Sequence, residues 1–340
     1  MNVLVIFATF FAYLAPFVNP ARFWVFSFFG LIYPYLLLTN ILFVIYWSVL
    51  KKKYLLFSLG CILLGCGHVT SFVGFNSFDK VKTEEVITIG SYNIHGLGSL
   101  VIGLKTKEEK KKKANEFVQF LKRENEIQIL CTQETNKYNI DFIKKNFNFP
   151  YLYNVKAKSP VIFSKYPILN SGIINFSKSS NSCVWADLKI NNQNIRVYSI
   201  HFQSNQVSKI ADKVANDGDL SKKETFSDIK SMMGKFKLYA TLRANQAQQV
   251  ANHIATCPHP VIICGDFNDT PQSYTYHLLT QKLKDSFKEK GRGFGTTYAG
   301  SIPALRIDYI LLDKKINIHS HEILKGNFSD HYPVICKISI

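Results

Sequence analysis

The residues that could do chemistry in this chain stand at the ends of apolar runs. Val86–Tyr92 runs into Asn93, Ile127–Gln133 into Glu134, Ile195–Ile200 into His201, and Val261–Gly265 into Asp266, with Asn268 two residues further on. Asp308 lies at the start of the run Arg306–Leu312, and Asp330 and His331 stand just before Tyr332, Pro333 and the last run, Val334–Ile338. Taken singly, an Asp after a strand is a turn residue or a helix cap, so the joint set carries the reading. Carboxylates and amides with few nitrogens and no thiols suit a hard cation such as Mg²⁺, Mn²⁺ or Ca²⁺. A His next to an Asp, with a second Asp elsewhere, supplies a general base and a group to orient it. A hard cation, a base and asparagines together are the equipment of phosphoryl chemistry: the cation neutralises phosphate oxygens and the base activates water.

For these side chains to meet, their strands must share an edge. From Glu85 onward, short β-branched runs alternate with turns and a few helices. Thr106–Glu124 is predicted as an amphipathic helix, with Ala114, Phe117, Val118 and Leu121 on one face. Phe226–Ala255 contains a second, long helix, and the polar stretch Ser204–Glu224 is a surface insertion. Many strands with helices between them predict an α/β sandwich of two packed mixed sheets with helices outside. Cys131, Cys264 and Cys336 fall inside apolar strands, which makes them small buried residues and not a disulfide scaffold.

The motifs SYNIHG (Ser91–Gly96), TQET (Thr132–Thr135), SIHFQ (Ser199–Gln203), GDFNDTP (Gly265–Pro271), RIDYIL (Arg306–Leu311) and SDHYPV (Ser329–Val334) occur in this order. In order and context the chain resembles the endonuclease/exonuclease/phosphatase superfamily, which includes deoxyribonucleases, abasic-site endonucleases, neutral sphingomyelinases and inositol polyphosphate 5-phosphatases. The resemblance covers about Val86 to Ile340 and implies a four-layered α/β sandwich. It makes Glu134 the principal metal ligand, assisted by Asn93, with Asp330 on the metal side. Asp266 and Asn268 would hold the attacking water and the scissile phosphate. His331 would be the general base or the imidazole that stabilises the phosphate, oriented by Asp308. His201 would contact phosphate or protonate the leaving oxygen. One departure stands out: where members often carry a glycine before the strand Val161–Phe163, this chain has Ser159 and Pro160.

Composition divides the chain further. Residues 1–78 hold Arg22 and Lys51–Lys53 but no acidic residue, so the remainder carries 37 basic and 24 acidic residues, a net +13 out of +17. That division explains how a chain of net +17 keeps a mean hydropathy of +0.01. Aromatic residues at 14% exclude wholesale disorder. Phe23–Leu50, Tyr54–Phe75 and the shorter Asn2–Val18 are charge-free, and a bilayer needs roughly 20 apolar residues. The expectation is a membrane anchor over 1–78, with two to three transmembrane helices, and a catalytic domain over 79–340. Short basic loops stay cytoplasmic, so Lys51–Lys53 place everything after Phe78 on the outer face of an inner or plasma membrane. The positive charge and this tether point to phospholipid headgroups, nucleic acid or soluble phosphate esters as substrates, with the lipid bilayer and no protein as partner. Alternatives are an extracytoplasmic nuclease and a catalytically silent binding protein, against which stands the filling of every metal and base position.

Overall fold

The structure, a computed structural model, describes residues 1–76, 86–122, 126–155, 159–204, 223–300 and 302–340. The position 78/79 and nearly all of the polar stretch Ser204–Glu224 lie outside the described residues. Two compact units are present. One comprises Gly74–Phe202, Gln249–Phe267 and Lys282–Ile340; the other comprises Met1–Val73, Gln203–Gln248 and Asn268–Gln281.

The larger unit holds two six-stranded mixed sheets. The first contains β1 (Ile87–Asn93), β2 (Ile129–Thr135), β3 (Tyr151–Tyr153), β4 (Ser159–Ser164), β11 (Asn317–Ile323) and β12 (Val334–Ser339) in the order β11-β12-β1-β2-β4-β3. The second contains β5 (Ile168–Asn175), β6 (Ser182–Ile190), β7 (Gln193–His201), β8 (Val261–Asp266), β9 (Leu283–Asp285) and β10 (Asp308–Asp313) in the order β9-β10-β8-β7-β6-β5. Only β1–β2 and β7–β8 pair in parallel among these neighbours. Inward-facing residues of both sheets form one core, Ile89, Ile129 and Cys336 from the first meeting Val197, Ile262 and Ile310 from the second. Helices cover the outer faces. α5 (Lys107–Lys122) and α6 (Lys137–Phe147) place Phe117, Leu121, Ile140 and Ile143 against Leu130, Phe163 and Ile335. Asn136 caps α6 and exchanges hydrogen bonds with Asn139, satisfying two backbone donors at once. On the other side, Tyr198 and Trp185 of the second sheet meet His253 of α7 (Lys223–Ala255).

The strands β2 and β8, together with Asp308 at the head of β10, align the site. Parallel β7 and β8 end in register, His201 opposite Asp266, and antiparallel β10 starts with Asp308 opposite the same Asp266. Pro160 is tolerated within β4, whose pairing to β2 breaks register between Thr132 and Thr135. Cys131, Cys264 and Cys336 are buried and all seven cysteines are free thiols.

In the helical unit, α1 (Asn2–Leu14), α2 (Pro20–Leu31), α3 (Tyr33–Val49) and α4 (Leu55–Leu64) come from the apolar segment. The expected uninterrupted spans do not form. Among the described residues no single helix is long and apolar enough to cross a membrane. The run Phe23–Leu50 is instead divided between α2 and α3, which reach spanning length only as a pair bent by 50°. Pro34, at the start of α3, lacks the N–H that a continuous helix would use. The 13 residues of α1 reach about 20 Å, short of a hydrocarbon core of about 30 Å. α4 stops at the glycine-rich stretch from Gly65. Polar side chains join these helices from within: Asn40 donates to Thr9, Ser58 to Asn2, and Tyr13 to the Cys61 carbonyl.

Candidate active site

Seven of the eight sequence-predicted site residues lie in the sheet unit, and hydrogen bonds and close approaches link them. Asn93, the last residue of β1, donates its amide to Glu134 Oε1 at 3.2 Å and to Asp266 Oδ2 at 3.0 Å. It thereby ties a carboxylate from the first sheet to one from the second. Glu134 sits at the register break of β2 with φ of 54°, an uncommon conformation for a residue with a side chain. Its carboxylate keeps 41% of its exposure, whereas that of Asp266 keeps 1%. His201 Nε2 lies 3.8 Å from both Glu134 Oε1 and Asp266 Oδ2. His331 Nε2 approaches Asp266 Oδ2 from another side at 3.7 Å. Its Nδ1 lies 2.9 and 3.1 Å from the two oxygens of Asp308.

Burial dominates the electrostatics. It lifts the Asp266 carboxyl to about 6, although His331 and His201 pull it partly back. Burial pulls the His331 imidazole down, but Asp308 and Asp266 outweigh it and hold the ring up at about 10. His331 therefore carries a proton at neutral pH, donated through Nδ1 to Asp308, and its Nε2–H faces Asp266.

Asp330 is placed at the edge of this cluster. Its Oδ1 pairs with His95 Nδ1 at 2.9 Å and accepts from Ser329 Oγ at 3.3 Å. Burial raises its carboxyl, yet the His95 hydrogen bond and the His331 charge leave it below its ordinary value. Asn268, two residues beyond Asp266 with φ of 51°, begins the segment that packs within the helical unit.

Several residues around the site carry no obvious sequence signal. His95 stands in the SYNIHG motif, but nothing in a lone histidine there announces a partner 235 positions away. Its backbone N–H donates to Asn93 Oδ1 at 3.1 Å. Thr297 Oγ1 accepts from the backbone N–H groups of both Ile307 and Asp308, at 3.0 Å each, and so fixes the start of β10. Buried Arg306 secures the same strand through Asp285 at 2.7 Å. Ser329 Oγ donates to the Asn93 carbonyl at 2.8 Å and accepts the His331 N–H, joining the first and last motifs. The Tyr298 ring meets His331 edge-on, centroids 5.4 Å apart. A pocket of about 680 Å³ opens beside the site, lined among others by His95, Ser99, Lys113, Phe328, Asp330 and Tyr332.

The donor set suits a hard divalent cation: it is rich in carboxylate oxygen and contains no thiol. Among the described residues, one group of ligand atoms lies close enough together to hold one. Asp266, Asp308 and His331 offer ligand atoms that lie within 4.8 Å of one another. Glu134 lies beside this group: Asn93 presents its side-chain N–H to both Glu134 Oε1 and Asp266 Oδ2.

Comparison with known proteins adds the family context. Residues 90–331 match the model of the Endonuclease/Exonuclease/phosphatase family. Residues 1–72 match a family described as a domain of unknown function (DUF8431). No curated protein sequence matches significantly. Among solved structures, TDP2 of D. rerio, complexed with single-strand DNA product, is similar at 16% identity and a TM-score of 0.53, covering 76% of this chain and 100% of that one. The mannosyl-6-phosphatase of Bacteroides thetaiotaomicron is similar at 16% identity and a TM-score of 0.52, covering 75% and 100%. The human Nocturnin catalytic domain, solved with a bound sulfate anion, is similar at 18% identity and a TM-score of 0.52, covering 77% and 97%. At these identities the likeness is one of fold.

Proposed function

Because the chain belongs to the endonuclease/exonuclease/phosphatase family, and is thus a hydrolase of phosphate esters, we propose that it is a divalent-metal-dependent phosphodiesterase working at a membrane surface. The observation that carries the proposal is the convergence on Asp266: Asn93 reaches it from the other sheet, and His201 and His331 approach it at 3.8 and 3.7 Å. Glu134 and Asn93, with Asp330 beside them, are the residues assigned to hold Mg²⁺ or Mn²⁺. A bound cation would supply positive charge to the phosphate oxygens. Asp266 and Asn268 orient the attacking water, and Asp266, whose carboxyl sits near 6, receives its proton. His331, held protonated by Asp308, stabilises phosphate charge and is not a free base. His201 stands on the opposite flank, where it donates to the leaving oxygen.

The substrate reading rests on the pocket beside the site. Lys113 lines it and lies over the Phe328 ring at 4.7 Å. A cation backed by an aromatic ring suits an extended polyanion, which also supports the second reading, a nuclease acting on extracytoplasmic DNA or RNA. The test is hydrolysis of bis-p-nitrophenyl phosphate with Mg²⁺ or Mn²⁺, with and without EDTA, against the monoester p-nitrophenyl phosphate. Turnover without metal would sink the metal assignment, and a preference for the monoester would sink the diesterase assignment. A parallel panel of plasmid DNA, RNA, sphingomyelin and inositol phosphates separates the substrate classes.

Membrane attachment is supported by the inverted character of the helical segment. Leu4 and Phe7 of α1, Leu38, Leu42 and Ile45 of α3, and Leu56, Phe57 and Leu63 of α4 are exposed, while the polar pairs Asn40–Thr9 and Ser58–Asn2 join helices within. Apolar side chains outside and hydrogen bonds inside are what a lipid solvent selects. The basic Lys51–Lys53 loop supports an outer-face catalytic domain, and a reporter fused at Ile340 tests this: a cytoplasmic signal would overturn it.

A further inference from the structure

The helical unit combines the apolar N-terminal segment with Asn268–Gln281, the stretch that directly follows the GDF of the GDFND motif. The joints are specific. Gln272 Nε2 donates to the Ala12 carbonyl of α1 at 2.9 Å, and Thr270 Oγ1 donates to the Gly30 carbonyl of α2 at 3.3 Å. Gly30 permits this approach by lacking a side chain: a Cβ there would stand 2.3 Å from the Gln272 carbonyl oxygen and 2.8 Å from Ala15 Cβ. From another side, fully buried Arg243 of α7 bonds Asp269 Oδ2 at 3.1 Å and the Gln203 carbonyl at 3.1 Å. The turn that begins at Asn268 is therefore clamped, with α1 and α2 forming one jaw.

A mere tether would need none of this. Its contacts with the enzyme could be loose and its sequence constrained only by lipid. Here a glycine is required within a helix for backbone contact with a loop 240 residues later, at the loop that carries an assigned site residue. We propose that the N-terminal helices seat the Asn268 loop, so that residues 1–72 are a positioning part of the catalytic apparatus as well as an anchor. This rests on the assignment of Asn268 to the site. Gly30, Thr270 and Gln272 act through Asn268 and are positioning residues.

The test uses the full-length chain in detergent micelles, bis-p-nitrophenyl phosphate and Mn²⁺, with melting curves to confirm folding. Thr270→Val removes one hydrogen bond at almost constant shape and is expected to lower kcat about 3- to 10-fold with KM little changed. Gly30→Ala displaces the loop outright and is expected to cost about 10- to 100-fold in kcat. Gly60→Ala is the control, because a Cβ at Gly60 meets nothing within 4 Å, and it should stay within about twofold of wild type. The deciding measurement is a double-mutant cycle. If the seat works through Asn268, adding Thr270→Val to Asn268→Ala lowers kcat no further. Multiplying losses, or wild-type kcat in Thr270→Val while Asn268→Ala is impaired, would overturn the seat. Wild-type kcat in Asn268→Ala would instead overturn the site assignment beneath it. Should Gly30→Ala fail to fold, Thr270→Val and the cycle still decide.

Discussion

Replacing Asp308 by Asn tests the electrostatics of the site most directly. The substitution keeps size and shape, and the Asn side-chain oxygen can still accept from His331 Nδ1–H. What it removes is the negative charge that lies 2.9 and 3.1 Å from that nitrogen. Both side chains are nearly or wholly shielded, at 7% and 0% exposure, so solvent screens the pair little. A hydrogen bond to a charged partner contributes about 1.5–3 kcal/mol. Taking about 2 kcal/mol, the imidazolium loses roughly 1.5 pH units of its hold on the proton. The wild-type ring, held up at about 10, then falls to the region of pH 8.5. The sign follows from the role: a protonated His331 stabilises phosphate charge, so activity is lost as the proton leaves on the alkaline side. The assay is kcat/KM for bis-p-nitrophenyl phosphate between pH 6 and 9.5 at saturating Mg²⁺. Wild type should hold its plateau to the end of that range, and Asp308→Asn should fall about tenfold by pH 9.5. A uniform loss at every pH, with the alkaline limb unmoved, would refute this account of the pair. It would place Asp308 on the metal instead, through the Asp266–Asp308–His331 group.

Glu134→Gln removes the half-exposed carboxylate proposed as the principal metal ligand and should cost at least about 100-fold in metal-dependent turnover, with weaker Mn²⁺ binding by calorimetry. The Asp266 carboxyl, raised from 3.8 to about 6, binds its proton more tightly in the folded chain than in the unfolded one. Its contribution to stability is therefore complete below pH 4 and is lost as pH rises through 6. In EDTA, Asp266→Asn should gain about 3 kcal/mol on wild type across that window in urea melts, and added Mg²⁺ should shrink the gain. His95→Ala removes the imidazole partner of Asp330 and opens the pocket rim, so it should raise KM for oligonucleotide substrates severalfold more than for bis-p-nitrophenyl phosphate. Equal effects on both would detach His95 from the pocket.

The candidate site's convergence was legible in the sequence because its residues are delivered by strand ends, and strand ends are marked locally. Asn93, His201 and Asp266 close three β-branched runs, and the register of β7, β8 and β10 brings His201, Asp266 and Asp308 to one row. The two-sheet core was legible for the same reason, since inward residues such as Ile89, Val197 and Ile262 belong to short apolar runs. Thr297, Ser329 and His95 were not legible. His95 and Ser329 act through partners 235 and 236 positions away, and no local pattern distinguishes Thr297, whose one hydroxyl holds two backbone donors at the start of β10, from any threonine in a polar loop.

The apolar segment shows a different limit. Hydropathy counts residues along a run and takes the run to be one helix. Phe23–Leu50 meets the count, but Ile32, with backbone angles of −90° and 6°, ends α2, and Pro34 starts α3 afresh at 50°. The same bend places Gly30 at the last turn of α2, where a missing side chain lets the helix meet Gln272. A span facing only lipid at that position would carry no such constraint, since glycine is demanded where another backbone approaches closely. The broken geometry and the glycine contact are thus one feature, and it ties the apolar segment to the loop after Asp266.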